Sequence, residues 1–194
     1  MPENSRQNSV YSSQHRHVYS LALIAICAAV TAAGAQIQIP LLVPITLQVF
    51  GVFLAAFLLG PVKGAIAMLV YLLLGFAGLP VFAGAKGGFS IIATPTLGYL
   101  IAFPIAGFVI GIFAEATKKR WLNAIFAIAA GIIIIYVSGV VGILLWGKLI
   151  AQKQMTLWTA LSVGVLPFIP FDIIKGIAAY FIVKALPKRL RKPF

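Results

Sequence analysis

Charged residues are scarce in this sequence, and acidic ones are the scarcest. Of 194 residues only 9% are charged, with 15 Lys+Arg against 3 Asp+Glu, whereas soluble domains carry about 25% charged residues. So few solvating groups cannot cover a soluble fold of this length, which excludes a soluble enzyme. A disordered chain is excluded as well, because disorder requires low hydrophobicity and 62% of these residues are apolar.

Residue patterns that build redox, metal and nucleophilic sites are also missing. The one cysteine, Cys27, lies in an apolar run, so no disulfide framework is possible. There is no H-E-x-x-H, no pair of carboxylates and no Ser–His–Asp candidate, and His15 and His17 lie in a polar terminal segment. No nucleotide-binding motif is present. We therefore expect a protein that is not an enzyme, with no cofactor and no metal, and unable to hydrolyse ATP alone.

What the sequence does have is a series of long apolar runs, with a mean hydropathy of +1.08. This pattern predicts an all-α integral membrane protein with six transmembrane helices in one bundle. The expected single domain, 1–194, consists of a polar cytoplasmic tail (1–18), the bundle (19–186) and a basic cytoplasmic tail (187–194). The six spans are expected at about 19–39, 46–59, 62–79, 91–114, 122–146 and 171–186. The first run also resembles a signal peptide at its start, although it continues long enough to cross a membrane.

The basic residues predict the orientation of these spans. With six spans and both ends on one side, that side carries 11 Lys+Arg, the opposite side carries Lys86, Lys148 and Lys153, and Lys175 lies within the last span. Positive residues accumulate on the cytoplasmic side and face anionic headgroups. Both termini are therefore expected in the cytoplasm, and the loops 39–45, 80–90 and 148–170 are expected outside. The expected partner of the basic residues is lipid rather than nucleic acid.

The strongest candidate site is the segment PFIPFDIIKG, which contains Asp172 and Lys175. A spacing of three places both side chains on one helix face. Charges within a span cost about 2.5–3.5 kcal/mol each, so they tend to face a cavity and to have a partner. Two interpretations stay open: a mutually satisfied structural ion pair, or a polar patch offered to a ligand that enters from outside.

A second candidate is the glycine-rich outer loop 79–90, whose sequence is LPVFAGAKGGFS. Gly84 and its neighbours let the backbone approach a ligand closely, and Lys86 is the only charged residue of the loop. Phe82 is an unusual choice for a solvated turn. A plain flexible turn remains the alternative.

Polar or aromatic residues at two other outer positions complete the candidate site. Thr46 and Gln48 begin the second span, and Tyr99 lies near the outer end of the fourth. Routine interfacial residues are the alternative. Their interest comes from facing the same side as Asp172.

Small residues form a stripe along the first span. Ala25, Ala29 and Ala33 recur every four residues, a spacing that permits close approach of another helix in a membrane. The stripe therefore suits either packing within the bundle or docking of another membrane protein.

Taken in order, four segments resemble the BioY family of biotin-specific substrate-binding (S) components of energy-coupling-factor (ECF) transporters. They are IPLLVPITLQVFGVFLAAFLLGPVKGA, YLLLGFAGLPVFAGAKGG, TPTLGYL and PFIPFDIIKG. The resemblance implies a six-helix protein of a prokaryotic cell membrane that captures biotin in a pocket closed by outward loops. It also implies that a transmembrane coupling (T) subunit contacts the alanine stripe and that separate ATPase subunits supply energy.

The resemblance further implies roles for individual residues. Asp172 and Lys175 match the family's Asp-x-x-Lys, and Gly84 matches the family's glycine-rich loop. Other members often have an Asn or Arg in that loop. This sequence has neither there, and Lys86 is the nearest substitute. Asp172 is expected to accept from a ureido N–H of biotin, and Lys175 to steady Asp172 or donate to the ureido carbonyl. Phe82 and Tyr99 would pack on the rings, while Thr46, Gln48 or Lys86 would hold the carboxylate tail.

Other functions remain open from the residues alone. They are an S component for another vitamin, a passive small-solute channel, and a small membrane enzyme using Asp172 with Lys175. A channel needs polar residues from face to face of the membrane, whereas here they concentrate at the outer end.

Overall fold

The chain folds as a helical bundle with two very short strands. The computed structural model describes residues 3–116 and 120–187, with side chains described over 17–116 and 121–187. The elements are α1 (Glu3–Gln36), β1 (Gln38–Ile39), β2 (Ile45–Thr46), α2 (Gln48–Phe76), a 3₁₀ helix (Phe89–Ala93), α3 (Leu97–Glu115), α4 (Arg120–Leu149), α5 (Leu157–Gly164) and α6 (Ile169–Ala185). The structure is mostly helical, as predicted, and β1 pairs antiparallel with β2 across the loop after α1.

Helix α2 is two helices joined by a sharp turn at Gly60. Gly60 has φ 78° and ψ −172°, outside helical geometry, and Pro61 follows it. A Cβ placed on Gly64 would lie 2.9 Å from Ala56 Cα, and the Gln48 side chain reaches the Tyr71 hydroxyl. In one continuous helix residues 48 and 71 would be about 35 Å apart. The halves 48–59 and 61–76 therefore fold back on each other, as expected for the two predicted spans there.

By length and hydropathy, four helical segments of the described chain are able to cross a membrane. They are 17–36, 48–76, 97–115 and 121–149, and α5 with α6, bent by 46°, makes a fifth if counted as one span. In this count α2 is a single segment, although the chain reverses its direction at Gly60. The protein is thus a multi-pass membrane bundle.

Small residues bring the helices close together at the centre of this bundle. Helix α2 packs against α1, α3 and α6, and α3 packs against α4. A Cβ on Gly98 of α3 would lie 2.9 Å from Gly142 Cα of α4, so the two backbones touch where neither residue has a side chain. Large apolar side chains such as Ile133 and Val137 lie exposed on the outside, which suits contact with lipid.

The structure differs from the predicted boundaries at several places. The segment 1–18 is expected to be an irregular tail, whereas the backbone of α1 is helical from Glu3. The predicted fourth span 91–114 is a 3₁₀ helix followed by α3, because Pro95 lies between them. Within the outer segment 148–170, by contrast, the stretch TLWTALSVGVL predicts a short helix, and the structure has α5 there. Most of the basic tail (188–194), with Lys118 and Lys119, lies outside the described residues.

Candidate functional site

Polar and aromatic side chains from several elements surround a cavity of about 310 Å³. Its walls come from the loop after α1, the glycine-rich loop, the 3₁₀ region and the facing sides of α3, α4 and α6. Small-molecule pockets occupy roughly 300–1,000 Å³, so the cavity suits a compact ligand. It lies where the loops gather at one end of the bundle.

A buried ion pair forms one end of this cavity. Pro170 is the second residue of α6, in the first helical turn, where its missing N–H removes no intrahelical hydrogen bond. Asp172 follows in that turn, where the helix dipole favours a carboxylate. Lys175 Nζ donates to Asp172 Oδ1 at 2.7 Å, and the two residues are 7% and 1% exposed. Both charges therefore face each other and the cavity, away from lipid.

Tyr136 of α4 is the third member of this buried cluster. Its hydroxyl donates to Asp172 Oδ2 at 2.9 Å, and its side chain lines the cavity. Each carboxylate oxygen of Asp172 thus accepts one of these two hydrogen bonds, and a carboxylate has about four acceptor sites. Acceptor capacity remains for a ligand donor.

Tyr136 is not among the predicted site residues. A signal for it exists, because a tyrosine in the apolar run GIIIIYVSGVV carries a hydroxyl that needs a partner inside a membrane. The sequence did not indicate that the partner was Asp172, 36 positions away.

The predicted polar pair at the start of α2 is engaged in a chain of hydrogen bonds. Thr46 Oγ1 donates to Gln48 Oε1 at 2.8 Å, and Gln48 Nε2 donates to the Tyr71 hydroxyl. That hydroxyl donates to the Val81 carbonyl at 3.1 Å. Thr46 and Gln48 line the cavity, and through Tyr71 they also support the glycine-rich loop.

Aromatic side chains supply much of the apolar wall. The Tyr99 ring stacks on Phe168 with 6.3 Å between centroids, and its hydroxyl donates to the Gly164 carbonyl at 2.7 Å. Phe82 contacts Tyr71 edge to face. It is completely buried and fills the space where a Cβ on Gly75 would clash. Phe82 therefore anchors the glycine-rich loop as well as lining the cavity.

The glycine-rich loop closes the cavity near its mouth. Phe82 N donates to the Lys86 carbonyl at 2.9 Å, which forms a narrow turn. Gly84, at φ 73°, takes the left-handed backbone conformation that glycine allows. Lys86 lines the cavity and is exposed. Its ammonium group therefore lies at the solvent-accessible mouth, whereas Lys175 is buried at the other end.

All eight predicted ligand-binding residues line this one cavity: Thr46, Gln48, Phe82, Gly84, Lys86, Tyr99, Asp172 and Lys175. Their roles toward a ligand stay predictions. The structure adds lining residues that sequence reasoning did not propose, among them Gln38, Thr94, Thr96, Tyr136, Trp146 and Phe168.

The alanine stripe lies on the outside of α1. Ala25, Ala29 and Ala33 are exposed, while Cys27 and Ala28 face the core. The stripe is therefore not used for packing between the described helices. Its docking role stays a prediction.

No group of three or more His, Cys, Asp or Glu side chains comes together anywhere in the described part of the chain. The polar groups around the cavity are instead a single carboxylate, lysines, amides and hydroxyls, which suit hydrogen bonding to an organic ligand.

Comparisons with known proteins agree with one another. The model of the BioY family matches residues 5–192. The chain is 44% identical over 165 residues to the "Biotin transporter BioY" of Thermotoga maritima, covering 84% of this chain and 92% of that one. It is 41% identical over 167 residues to the "Probable biotin transporter BioY" of Pyrococcus horikoshii, covering 86% and 94%.

A solved structure is similar to the whole bundle. It is the S-component for biotin from an ECF-type ABC transporter, with a TM-score of 0.78 and 30% sequence identity, and the match covers 88% of this chain and 91% of that one.

Proposed function

Because the chain belongs to the BioY family, we propose that it is the biotin-binding S component of an ECF-type vitamin uptake transporter. Its relatives are named as biotin transporters. The observation that carries the proposal is the buried Asp172–Lys175 pair, held by Tyr136, at the end of a cavity with an apolar wall. Biotin combines a polar ureido group, an apolar bicycle and a carboxylate tail, and therefore suits such a cavity.

The ureido group of biotin fits the buried end. Asp172 retains acceptor sites and would accept from a ureido N–H, while Lys175, with two N–H groups beyond the one on Asp172, would donate to the ureido carbonyl. The pair is already neutral overall, so a neutral ligand group adds no net charge to a desolvated site.

The rest of the ligand would then extend toward the mouth. Tyr99 and Phe82 would pack on the bicyclic rings, and the exposed ammonium of Lys86 would meet the carboxylate tail beside the backbone of Gly84. Thr46 and Gln48 would contact the part of biotin that joins its rings to its carboxylate.

The topology that we propose has six spans with both termini in the cytoplasm. The fold-back at Gly60 divides α2 into two crossings, and α6 with the bent α5 supplies the last. The excess of 11 Lys+Arg over 3 supports this orientation. The cavity then opens to the outside of a prokaryotic cell membrane.

Transport would require partner subunits. The exposed face of Ala25, Ala29 and Ala33 would dock the T subunit, since small residues allow close helix approach where apolar burial gives no advantage over lipid. ATPase subunits would supply energy, because the sequence contains no nucleotide-binding motif. Biotin would be the transported ligand, with no cofactor or metal required.

The direct test is biotin binding by the purified protein in detergent or nanodiscs. We expect biotin to raise the melting temperature and to bind with measurable heat, whereas thiamine, riboflavin and folate produce neither effect. A response to another vitamin but not to biotin would contradict the assignment. Flux of small solutes through liposomes that contain the chain alone would instead support the channel alternative.

A further inference from the structure

One side chain outside the proposed binding set joins the glycine-rich loop to α1. Gln36 is the last residue of α1. Its Nε2 lies within hydrogen-bond distance of the Phe82 carbonyl at 3.2 Å, the Pro80 carbonyl at 3.4 Å and, within α1 itself, the Ala32 carbonyl at 3.3 Å, so its two N–H groups are shared among three acceptors. Its Oε1 accepts from Ala85 N–H at 3.0 Å. One carboxamide therefore contacts the loop through both its donor and its acceptor.

The loop segment between these points is a wall of the cavity. Phe82, Ala83 and Gly84 all line it, whereas Gln36 does not line it. Helix α1 packs along α2, so its end provides a fixed support for the loop. Gln36 can therefore influence a ligand only through the position of this wall.

The backbone of the loop explains why such a support matters. Gly84 and Ala85 have φ values of 73° and 55°. The left-handed region is unfavourable for a residue with a Cβ, so Ala85 needs stabilising contacts to stay in it. The Gln36 carboxamide supplies one of them, because it accepts the N–H of Ala85 itself.

A second support reaches the loop from inside the bundle. The Tyr71 hydroxyl on α2 donates to the Val81 carbonyl and is itself held by Gln48. Tyr71 is completely buried, whereas Gln36 is exposed. The buried contact holds the base of the loop on α2, while the contact from α1 lies on the more accessible side of the loop.

We propose that Gln36 is a positioning residue of the binding site, whose carboxamide holds the glycine-rich loop closed over the cavity and so slows release of the ligand. The proposal rests on the proposed function, since the ligand is taken to be biotin. Loss of the carboxamide alters no cavity-lining side chain and removes the tie between the loop and α1, together with the contact of Gln36 to the Ala32 carbonyl within α1.

The test compares dissociation of labelled biotin from the wild-type protein and Gln36→Ala. We expect dissociation to be about three- to tenfold faster, the size expected for a few solvent-accessible hydrogen bonds, with a nearly unchanged association rate and melting temperature. Gln36→Glu keeps the acceptor for Ala85 N–H but turns a carboxylate toward two carbonyl oxygens, so its dissociation should be at least as fast as that of Gln36→Ala. Gln154→Ala, an exposed glutamine outside the cavity, is the matched control and should dissociate at the wild-type rate.

A second readout needs no ligand. Amide hydrogen exchange at Ala85 in the ligand-free protein should be faster in Gln36→Ala, and exchange in the core of α2 should not change. If the wild-type chain fails to bind biotin, the proposed function fails, while this exchange measurement still reports on the tie. Unchanged exchange at Ala85, or faster exchange with unchanged biotin dissociation, would overturn the proposal. Faster exchange along all of α1 with a lower melting temperature would also overturn it, because Gln36 would then be a general structural residue.

Discussion

The two ends of the cavity hold their charged groups in opposite ways. At the closed end Asp172 and Lys175 are 1% and 7% exposed, and both lie on α6 with Lys175 Nζ 2.7 Å from Asp172 Oδ1. At the mouth Lys86 is exposed on a loop. The closed end thus consists of side chains fixed by α4 and α6, and the mouth consists mainly of loop backbone.

This difference predicts how the ends contribute to binding. Within the desolvated end an electrostatic interaction is strong, and a charge that loses its partner is costly. At the solvated mouth an interaction between charges is weak and is screened by salt. Affinity for the polar group of the ligand should therefore come from the closed end, and the mouth should govern access.

The largest effect should come from Asp172→Asn. The amide nearly preserves the shape of the side chain but removes the charge that holds Lys175 and replaces one of the two acceptor oxygens with an NH₂ group, which can only donate. We expect biotin affinity to fall by roughly thirtyfold to several thousandfold, in line with about 2–5 kcal/mol for breaking a buried charged pair. Titration calorimetry on the purified variant measures the biotin affinity. An affinity within about threefold of wild type would show that the Asp172 end of the cavity does not bind biotin.

Lys175→Ala provides the partner variant for this test. It leaves the carboxylate of Asp172 without its cation, so we expect a loss of both affinity and melting temperature. The double variant Asp172→Asn with Lys175→Ala should be less destabilised than the sum of the single variants, because neither charge is then left alone. Additive losses would show that the two groups act independently.

A smaller effect is expected from Tyr136→Phe. The ring still packs against its neighbours, but the hydrogen bond to Asp172 Oδ2 is lost. One hydrogen bond to a charged group contributes about 1.5–3 kcal/mol, so we expect affinity to fall by roughly ten- to a hundredfold at most. Tyr180→Phe on α6, outside the cavity, is the control with the same chemical change. Equal affinities for both variants would contradict a role of Tyr136 in orienting Asp172.

The smallest effect is expected from Lys86→Ala at the mouth. Because its ammonium is exposed, we expect affinity to fall by about two- to fivefold at low salt and by less at 0.5 M salt. The loss in Asp172→Asn should not depend on salt in this way. Lys153→Ala, another exposed lysine that does not line the cavity, is the control. A salt-independent loss of a hundredfold for Lys86→Ala would reverse the comparison between the two ends.

The sequence predicted which segments are helical better than it predicted where those helices begin and end. Hydropathy located the long helices of the bundle, and the two predicted spans 46–59 and 62–79 match the halves of α2 on either side of Gly60. The start of α1 at Glu3 was not predicted, since the polar residues there carry no apolar pattern. The separation of the 3₁₀ helix from α3 was also missed, although Pro95 was visible, because one apolar run covers both.

For the site, residue type was the useful signal. Charged and polar groups are so rare in the apolar runs that Asp172, Lys175 and Gln48 stand out, and each lines the cavity. Tyr136 and Gln36 were missed because their importance depends on partners 36 and 46 positions away in the chain. Such a pairing has no local pattern.

Composition alone determined that this chain is a membrane bundle with few, expensive polar groups, because a bilayer requires the backbone to satisfy its own hydrogen bonds within helices and penalises every unpaired charge. Only the tertiary structure decided that those polar groups surround one cavity and that Gln36 ties its wall to α1. Those facts depend on how far each helix is rotated and how closely its small residues let it approach its neighbours. These are properties of packing between distant segments, which no single stretch of sequence specifies.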